Sequence, residues 1–222
     1  MNIRAPHPAP IPREATASRT GRIAHSLAFL MTFVLSLLAV GAAAPVTDAS
    51  GTYDRAAAVA YAREHWNDGA TVPWLPDCTA FASQALWAGG LSKSDKWTNS
   101  SRDRQQVATR VVRPGPTKAM MAADVLKNYL VNETGQGTLT QISYEDRSIP
   151  GAEAGDLVLY DWNADGFVDH IAFIVATGPS ETLVAQHTPN QVDKGWNWSS
   201  TGNNWLSQTA PSTRVYLLHI TA

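Results

Sequence analysis

Two segments near the start of the globular part of the chain have apolar and small residues at helical spacing. In segment 53–66 the residues that share one face are Tyr53, Ala57, Ala60 and Tyr61. The second segment, 78–88, is followed by Gly89 and Gly90. Glycine favours the backbone conformation that is common just after a helix. The pattern therefore predicts helices over 53–66 and 78–88.

Farther along the chain the spacing changes from helical to alternating. Thr117 can cap a third helix whose apolar face comprises Met120, Ala123, Leu126 and Leu130. The polar segment before it, 91–116, shows no periodicity and is predicted to be a long surface connection. Short apolar or alternating runs follow, separated by Gly, Pro, Asn and Asp. These runs are 155–160, 170–176, 182–186 and 214–220.

Helices that precede strands, without regular alternation, are typical of an α+β fold and not of a doubly wound parallel sheet. We therefore predict N-terminal helices packed on one face of an antiparallel sheet.

The first 44 residues have the order of an export signal. Residues 1–25 contain four arginines and one acidic residue, and an apolar run from Ser26 to Val40 ends in the small residues 41–44. The apolar stretch approaches the length of about 20 residues that spans a bilayer, so an uncleaved anchor is the alternative. We expect 1–44 to be a signal peptide and 45–222 a single domain, secreted or at the cell surface. Once the signal is cleaved, no stable membrane association is expected.

The net charge of −2 and the scattered basic residues of 45–222 give no sign of a surface that follows a phosphate backbone. Nucleic acid is therefore not an expected partner. We expect a monomer.

Cys78 is the single cysteine of the chain, so it cannot form an internal disulfide. Its predicted position is the first turn of a helix, where the backbone N–H groups favour a thiolate. Two other roles stay open. Cys78 can be a small buried hydrophobic residue, or it can link two chains.

Two of the six histidines are candidate partners for Cys78. His7 and His25 lie in the export signal, His65 lies on a polar part of the first helix, and His219 alternates within the last strand. His170 and His187 remain, and they flank a predicted hairpin with its turn at 177–181. If they face each other across it, their β-carbons are about 5 Å apart and one imidazole can orient the other.

A cysteine with a base and an orienting residue is the arrangement that thiol catalysis needs. The sequence therefore predicts a catalytic triad of Cys78, His170 and His187. Each histidine can instead have a purely structural role. Zinc binding by the same three residues lacks a close ligand pair such as Cys-x-x-Cys.

Four segments carry a resemblance to a known family. They are Tyr53 to Ala62, Asp77-Cys78-Thr79 with Phe81, Ser83 and Gln84 up to Gly89-Gly90, Gly155-Asp156-Leu157 through Asp169-His170, and Gln186-His187-Thr188. On these segments the chain resembles the putative amidase family of secreted bacterial proteins. That family is a branch of the papain-like group that includes the NlpC-type cell-wall peptidases. Family members usually have Asn where this chain has Ala80.

The resemblance implies a papain-like fold with Cys78 as nucleophile, His170 as base and His187 as the third polar residue. It also implies hydrolysis of amide bonds, with peptidoglycan peptides as the usual substrate class. The backbone N–H of Cys78 is a candidate oxyanion donor. This chemistry requires no cofactor. The alternatives are a catalytically inactive module that binds the cell wall, and an acyltransferase that uses the same cysteine.

Two further motifs have both a functional and a structural interpretation. Segment 161–169 places oxygen side chains at the calcium-loop positions Asp161, Asn163, Asp165 and Asp169, with Gly166 at the sixth position. The twelfth position is Ala172, so the motif predicts either a calcium site or an ordinary turn. Trp196, Trp198 and Trp205 lie in a polar segment and can either stack on sugar rings or fill the core.

Overall fold

A sheet with the N-terminal helices on one face forms the centre of the molecule. The computed structural model describes residues 52–73 and 75–222, so the predicted signal at 1–44 and its boundary lie outside the described residues. The helices are α1 (Arg55–His65), α2 (Cys78–Ala88), α3 (Lys118–Met121), α4 (Ala123–Asn128) and α5 (Leu206–Thr209). The strands are β1 (Gly137–Ile142), β2 (Leu157–Asp161), β3 (His170–Thr177), β4 (Thr182–Gln186), β5 (Gln191–Gly195), β6 (Trp198–Ser199), β7 (Asn204–Trp205) and β8 (Arg214–Ile220).

The main sheet has six strands in the order β1-β8-β2-β3-β4-β5, and every neighbouring pair is antiparallel. The α+β class with an antiparallel sheet is therefore confirmed. Successive side chains of the central strands point to opposite faces of the sheet and so belong to two separate apolar clusters. On one face Leu159 and Phe173 pack with Phe81 of α2. On the other face Ile174 packs with Trp196 and Leu206.

Helix α1 is attached to α2 by close packing. Asp54 caps α1 by accepting a hydrogen bond from the Ala57 N–H, so the helix begins at Arg55, two residues later than predicted. Gly89, directly after α2, lies against the start of α1. A β-carbon at Gly89 would come within 2.4 Å of the Tyr53 ring and 2.9 Å of the Ala58 β-carbon. Glycine is therefore required there for the two segments to approach.

The predicted third helix is divided. Ala122 has an extended backbone between α3 and α4, and one π-helical turn, Tyr129–Glu133, follows α4. The Thr117 side chain makes no capping bond and donates to the Thr98 carbonyl instead. The predicted apolar face nevertheless survives, because Met120, Ala123, Leu126 and Leu130 are all buried.

Asp156 connects the first helix to two neighbouring strands of the sheet, β2 and β8. Its carboxylate is fully buried and accepts from Arg55 Nη1 at 2.6 Å, the Ile220 N–H at 3.0 Å and the Glu153 N–H at 2.9 Å. His219 Nδ1 lies 2.9 Å from the same carboxylate. Arg55 also donates to the Ile220 carbonyl. One buried carboxylate therefore holds α1, the start of β2 and the end of β8 together.

The basic residues are less scattered than predicted. Within 102–118 the side chains Arg102, Arg104, Arg110, Arg113 and Lys118 are all exposed, and Asp103 is the acidic residue among them. The absence of nucleic-acid binding stays a prediction. In the described part of the chain, no helix combines the length and apolarity needed to cross a membrane.

Candidate active site

Cys78 is the first residue of α2, as predicted, and its side chain is buried. The turn before it is held by Asp77, whose carboxylate accepts the Thr71 N–H at 3.0 Å. The Asp77 N–H donates to the Thr188 hydroxyl at 3.3 Å. Helix α2 packs against β3, which begins at His170. The fold therefore places the thiol at a helix N-terminus, beside the start of the central strand.

The surroundings of Cys78 favour its thiolate. Burial alone raises the pKa of the thiol, but the hydrogen bonding and charge of His170, the backbone of Ile171 and the Thr79 hydroxyl outweigh it, so the pKa is lowered. The distance from Cys78 Sγ to Thr79 Oγ1 is 3.7 Å. A thiol with a lowered pKa beside an imidazole can act as a nucleophile at neutral pH.

His170 is enclosed by aromatic rings. It is 7% exposed and pairs with Tyr160 of β2, and its ring centroid lies 5.6 Å from that of Tyr160 and 5.9 Å from that of Trp162. Its Nε2 is buried and has no hydrogen-bond partner among the described residues. Hydrogen bonds of unliganded active sites often tighten only when substrate binds. The imidazole is therefore in place to exchange a proton with the adjacent thiol.

His187 does not face His170, and the predicted register of the hairpin is wrong. Phe173 pairs with Ala185 and Ile174 with Val184, and this offset brings position 187 opposite Ile171. A register irregularity between Ile174 and Ala176 moves the pairing. Because neighbouring residues of a strand point to opposite faces, a difference of one residue separates the two imidazoles.

His187 instead binds the turn before Cys78. Its Nδ1 lies 2.8 Å from Asp77 Oδ2, its Nε2 lies 2.9 Å from the His65 carbonyl, and its ring stacks on Phe81 at a centroid distance of 4.4 Å. Both hydrogen-bond partners are acceptors, so both ring nitrogens must donate, and this is the imidazolium form. Burial lowers the pKa of His187, but Asp77 and the His65 carbonyl outweigh it and the pKa is raised. His187 therefore connects the end of β4, the end of α1 and Asp77, the residue before Cys78.

The raised pKa of His187 predicts a pH-dependent contribution to stability. The contribution is fully present below the unfolded-state pKa of about 6.5 and is lost as the pH rises through the higher folded-state value. His187→Gln should therefore lower the free energy of unfolding more at about pH 5.5 than at about pH 9. Urea denaturation of both proteins at the two pH values measures the difference.

The matched control is His65→Gln, which removes an imidazole that pairs with Asp68 nearer the surface. It should change the free energy of unfolding by less than about 1 kcal/mol at either pH. An equal loss for His187→Gln at both pH values would contradict the assignment of His187 as a buried cation.

Sequence reasoning missed the structural role of Asp77. Its position directly before Cys78 was the available signal, but the Thr71 and His187 partners depend on the tertiary fold. Ala80, the departure from the family pattern, is fully buried in the apolar cluster beneath α2. It is a packing position.

The predicted calcium loop is a hydrogen-bonded turn. The Asp161 carboxylate accepts the N–H groups of Asp165 and Gly166 at 3.1 and 2.9 Å, and Asp169 accepts that of Trp162 at 2.9 Å. Asn163 Oδ1 also accepts from Asp165 at 3.3 Å. No group of three or more His, Cys, Asp and Glu that could hold a metal occurs in the part of the chain described. Calcium binding stays a prediction, which the melting temperature with and without calcium would test.

The three tryptophans differ in burial. Trp196 is 1% exposed, donates its Nε1–H to the Arg147 carbonyl at 3.0 Å and fills the core, as one of the two interpretations predicted. Trp198 and Trp205 pair edge to face at 4.8 Å and are only partly buried. Sugar stacking by these two stays a prediction.

Comparisons with known proteins agree with the resemblance. A relative, the uncharacterized protein YhbB of Bacillus subtilis (strain 168), is 26% identical over 171 residues, which cover 76% of this chain and 50% of that protein. The chain thus spans about half the length of this relative. No solved structure matches the chain. A family model described as "Putative amidase domain" matches residues 52–210, and the chain therefore belongs to the putative amidase domain family.

Proposed function

We propose that this protein is a cysteine-dependent amidohydrolase with a papain-like arrangement of nucleophile and base. The observation that carries the proposal is the buried Cys78 thiol at the start of α2, with a pKa lowered by His170 against the opposing effect of burial. The family supports amidase activity. Cys78 is the first residue of α2 and His170 is the first residue of β3, and these two elements pack against each other.

The proposed reaction proceeds through an acyl-enzyme. His170 accepts the Cys78 proton, and the thiolate attacks the carbonyl carbon of the amide. The bond from carbon to nitrogen breaks, and the leaving amine takes the proton from His170. Water then attacks the thioester, gives its proton to His170 and releases the acid, and the thiol is restored.

The oxyanion of each tetrahedral intermediate needs a hydrogen-bond donor. The backbone N–H of Cys78 is the proposed donor, since the first N–H groups of a helix have no intrahelical partner. His187 is a positioning residue in this proposal, because it acts on Cys78 through Asp77. This role differs from the predicted one, in which His187 orients His170.

We propose peptidoglycan peptides as the substrate class and a site of action outside the cytoplasm. The support is the resemblance to cell-wall peptidases together with the predicted export signal at 1–44. The test is incubation of the protein with purified cell-wall sacculi, with detection of newly formed amino groups. The expected result is that the wild type forms new amino groups and Cys78→Ala forms none.

If the wild type and Cys78→Ala form equal amounts of new amino groups, cysteine catalysis is contradicted. Binding to sacculi without release by either protein would favour an inactive binding module. Amide products formed with an added amine would show acyl transfer.

A further inference from the structure

A cavity of about 100 Å³ opens beside His170 on the face of the sheet that Trp196 and Leu206 cover. Its remaining walls come from the segment that follows β4 and from the β6 strand, with Ser199 and Ser200 at its edge. Among the described residues, the hydrogen bonds and ring contacts of Cys78 and His187 involve no tryptophan that lines the cavity. The cavity is therefore a separate space that meets the candidate active site at His170 and at Thr188, whose hydroxyl accepts the Asp77 N–H.

The base of the cavity is rigid and apolar. Tyr160 Oη donates to the Trp196 carbonyl at 2.6 Å, and Trp196 Nε1 donates to the Arg147 carbonyl, so both polar atoms already have backbone partners. Trp162 stacks on Tyr160 at a centroid distance of 4.9 Å and an interplanar angle of 17°. These contacts fix the rings and leave their carbon surfaces to face the cavity.

No charge other than that of His170 is available to a ligand in this cavity. Apart from His170, the described residues that line it are neutral side chains. Burial raises the pKa of Tyr160, so the phenol is uncharged at neutral pH. A cationic group that entered would lose its hydration without gaining an anionic partner among the described lining residues, which is strongly unfavourable.

The volume limits the size of the occupant. A water molecule has a share of about 30 Å³ in the liquid, so a cavity of this volume holds about three non-hydrogen atoms. Alanine and valine side chains fit within that limit. Aromatic side chains and the long chains of lysine and arginine do not.

We infer that this cavity, the His170 cavity, binds a small uncharged side chain of the substrate next to the amide bond that is cleaved. The inference rests on the proposed function, and it names the substrate class of the same site: amides whose residue beside the scissile bond has an alanine- to valine-sized side chain. The buried and unpartnered Nε2 of His170, where the cavity meets the candidate active site, is then available to a polar atom of the bound substrate.

The first measurement is kcat/KM for a series of fluorogenic amides that differ only in this side chain: glycine, alanine, valine, phenylalanine and lysine. Alanine or valine should be cleaved at least about tenfold faster than phenylalanine or lysine, the discrimination expected for a pocket of limited size. A preference for lysine or phenylalanine would overturn the inference.

An enlarged cavity gives the second measurement. Leu206→Ala removes a wall of the cavity and should move the preference toward the larger phenylalanine substrate. Leu217→Ala is the matched control, because Leu217 is buried in the same apolar cluster but does not line the cavity. An unchanged order of preference in Leu206→Ala, or the same change in both variants, would overturn the inference.

A binding measurement separates this inference from the proposed function. In the Cys78→Ala protein, N-acetyl-alaninamide should shift the indole N–H resonances of Trp162 and Trp198, whereas N-acetyl-lysinamide should not. If no substrate is cleaved, the proposed function fails and this binding result alone decides the inference. Equal shifts with both compounds, or shifts with neither, would overturn it.

Discussion

Replacing Cys78 with serine is expected to lower kcat/KM for amide hydrolysis by at least about a thousandfold. Serine retains the shape of cysteine, but its hydroxyl is not ionised near neutral pH, and the surroundings of Cys78 lower the pKa of a thiol. The loss should appear mainly in kcat, because the nucleophile forms its bond in the transition state. Initial rates on the fluorogenic alanine amide measure it.

The control for this variant is Ser83→Ala, on the same helix. Ser83 is fully buried and accepts the indole N–H of Trp97 at 2.9 Å, so its loss perturbs α2 without touching the thiol. It should lower stability but keep substantial activity. If Cys78→Ser keeps activity comparable with that of Ser83→Ala, the thiol is not the nucleophile.

Asp156→Asn is expected to lower the free energy of unfolding by about 3 kcal/mol, the lower end of the range for breaking a buried ion pair, because Arg55 retains some exposure to solvent. Asparagine preserves the volume but removes the charge, so Arg55 loses its buried anionic partner. Its amide also presents one oxygen where the carboxylate offers two to the Glu153 and Ile220 N–H groups. Urea denaturation measures the loss.

Glu153→Gln is the matched control, because its carboxylate also pairs with Arg55, at 2.8 Å, but its side chain is 58% exposed. An exposed pair contributes less than about 1 kcal/mol. A loss for Asp156→Asn that is no larger than that of Glu153→Gln would contradict the central role of the buried carboxylate.

Elements with strong local signals could be predicted from the sequence. Helix α2 begins and ends where the pattern predicted, since Gly89 and Gly90 mark its end and most of its apolar residues are buried. Strands β4 and β8 also have the predicted bounds, because each is a short apolar run between turn residues.

Elements with weak local signals were missed. Strand β1 lies at the edge of the sheet, and most of its residues are exposed, so its sequence is largely polar. Strands β5, β6 and β7 are likewise short and only partly buried. Such strands exist because a neighbour offers hydrogen bonds, and that information lies elsewhere in the chain.

In the candidate site, too, the residues on elements with strong local signals could be predicted. Cys78 and His170 each begin a strongly marked element, α2 and β3, so their positions could be predicted. The role of His187 depends on a register irregularity within β3 and β4, which changes the facing residue by one position. Asp77, which receives His187, could not be identified before the fold brought the end of β4 beside the start of α2.

The most direct test of the thiolate and base is the rate of alkylation of Cys78 by iodoacetamide across pH, for the wild type and for His170→Ala. Cys78 is the single cysteine, so every labelled thiol reports on this site. The wild-type rate should rise with a midpoint below the value of about 8.5 for a free cysteine, and the midpoint should move to higher pH in His170→Ala. A thiol that titrates at or above that value, or one that His170→Ala leaves unchanged, would contradict catalysis by Cys78 and His170.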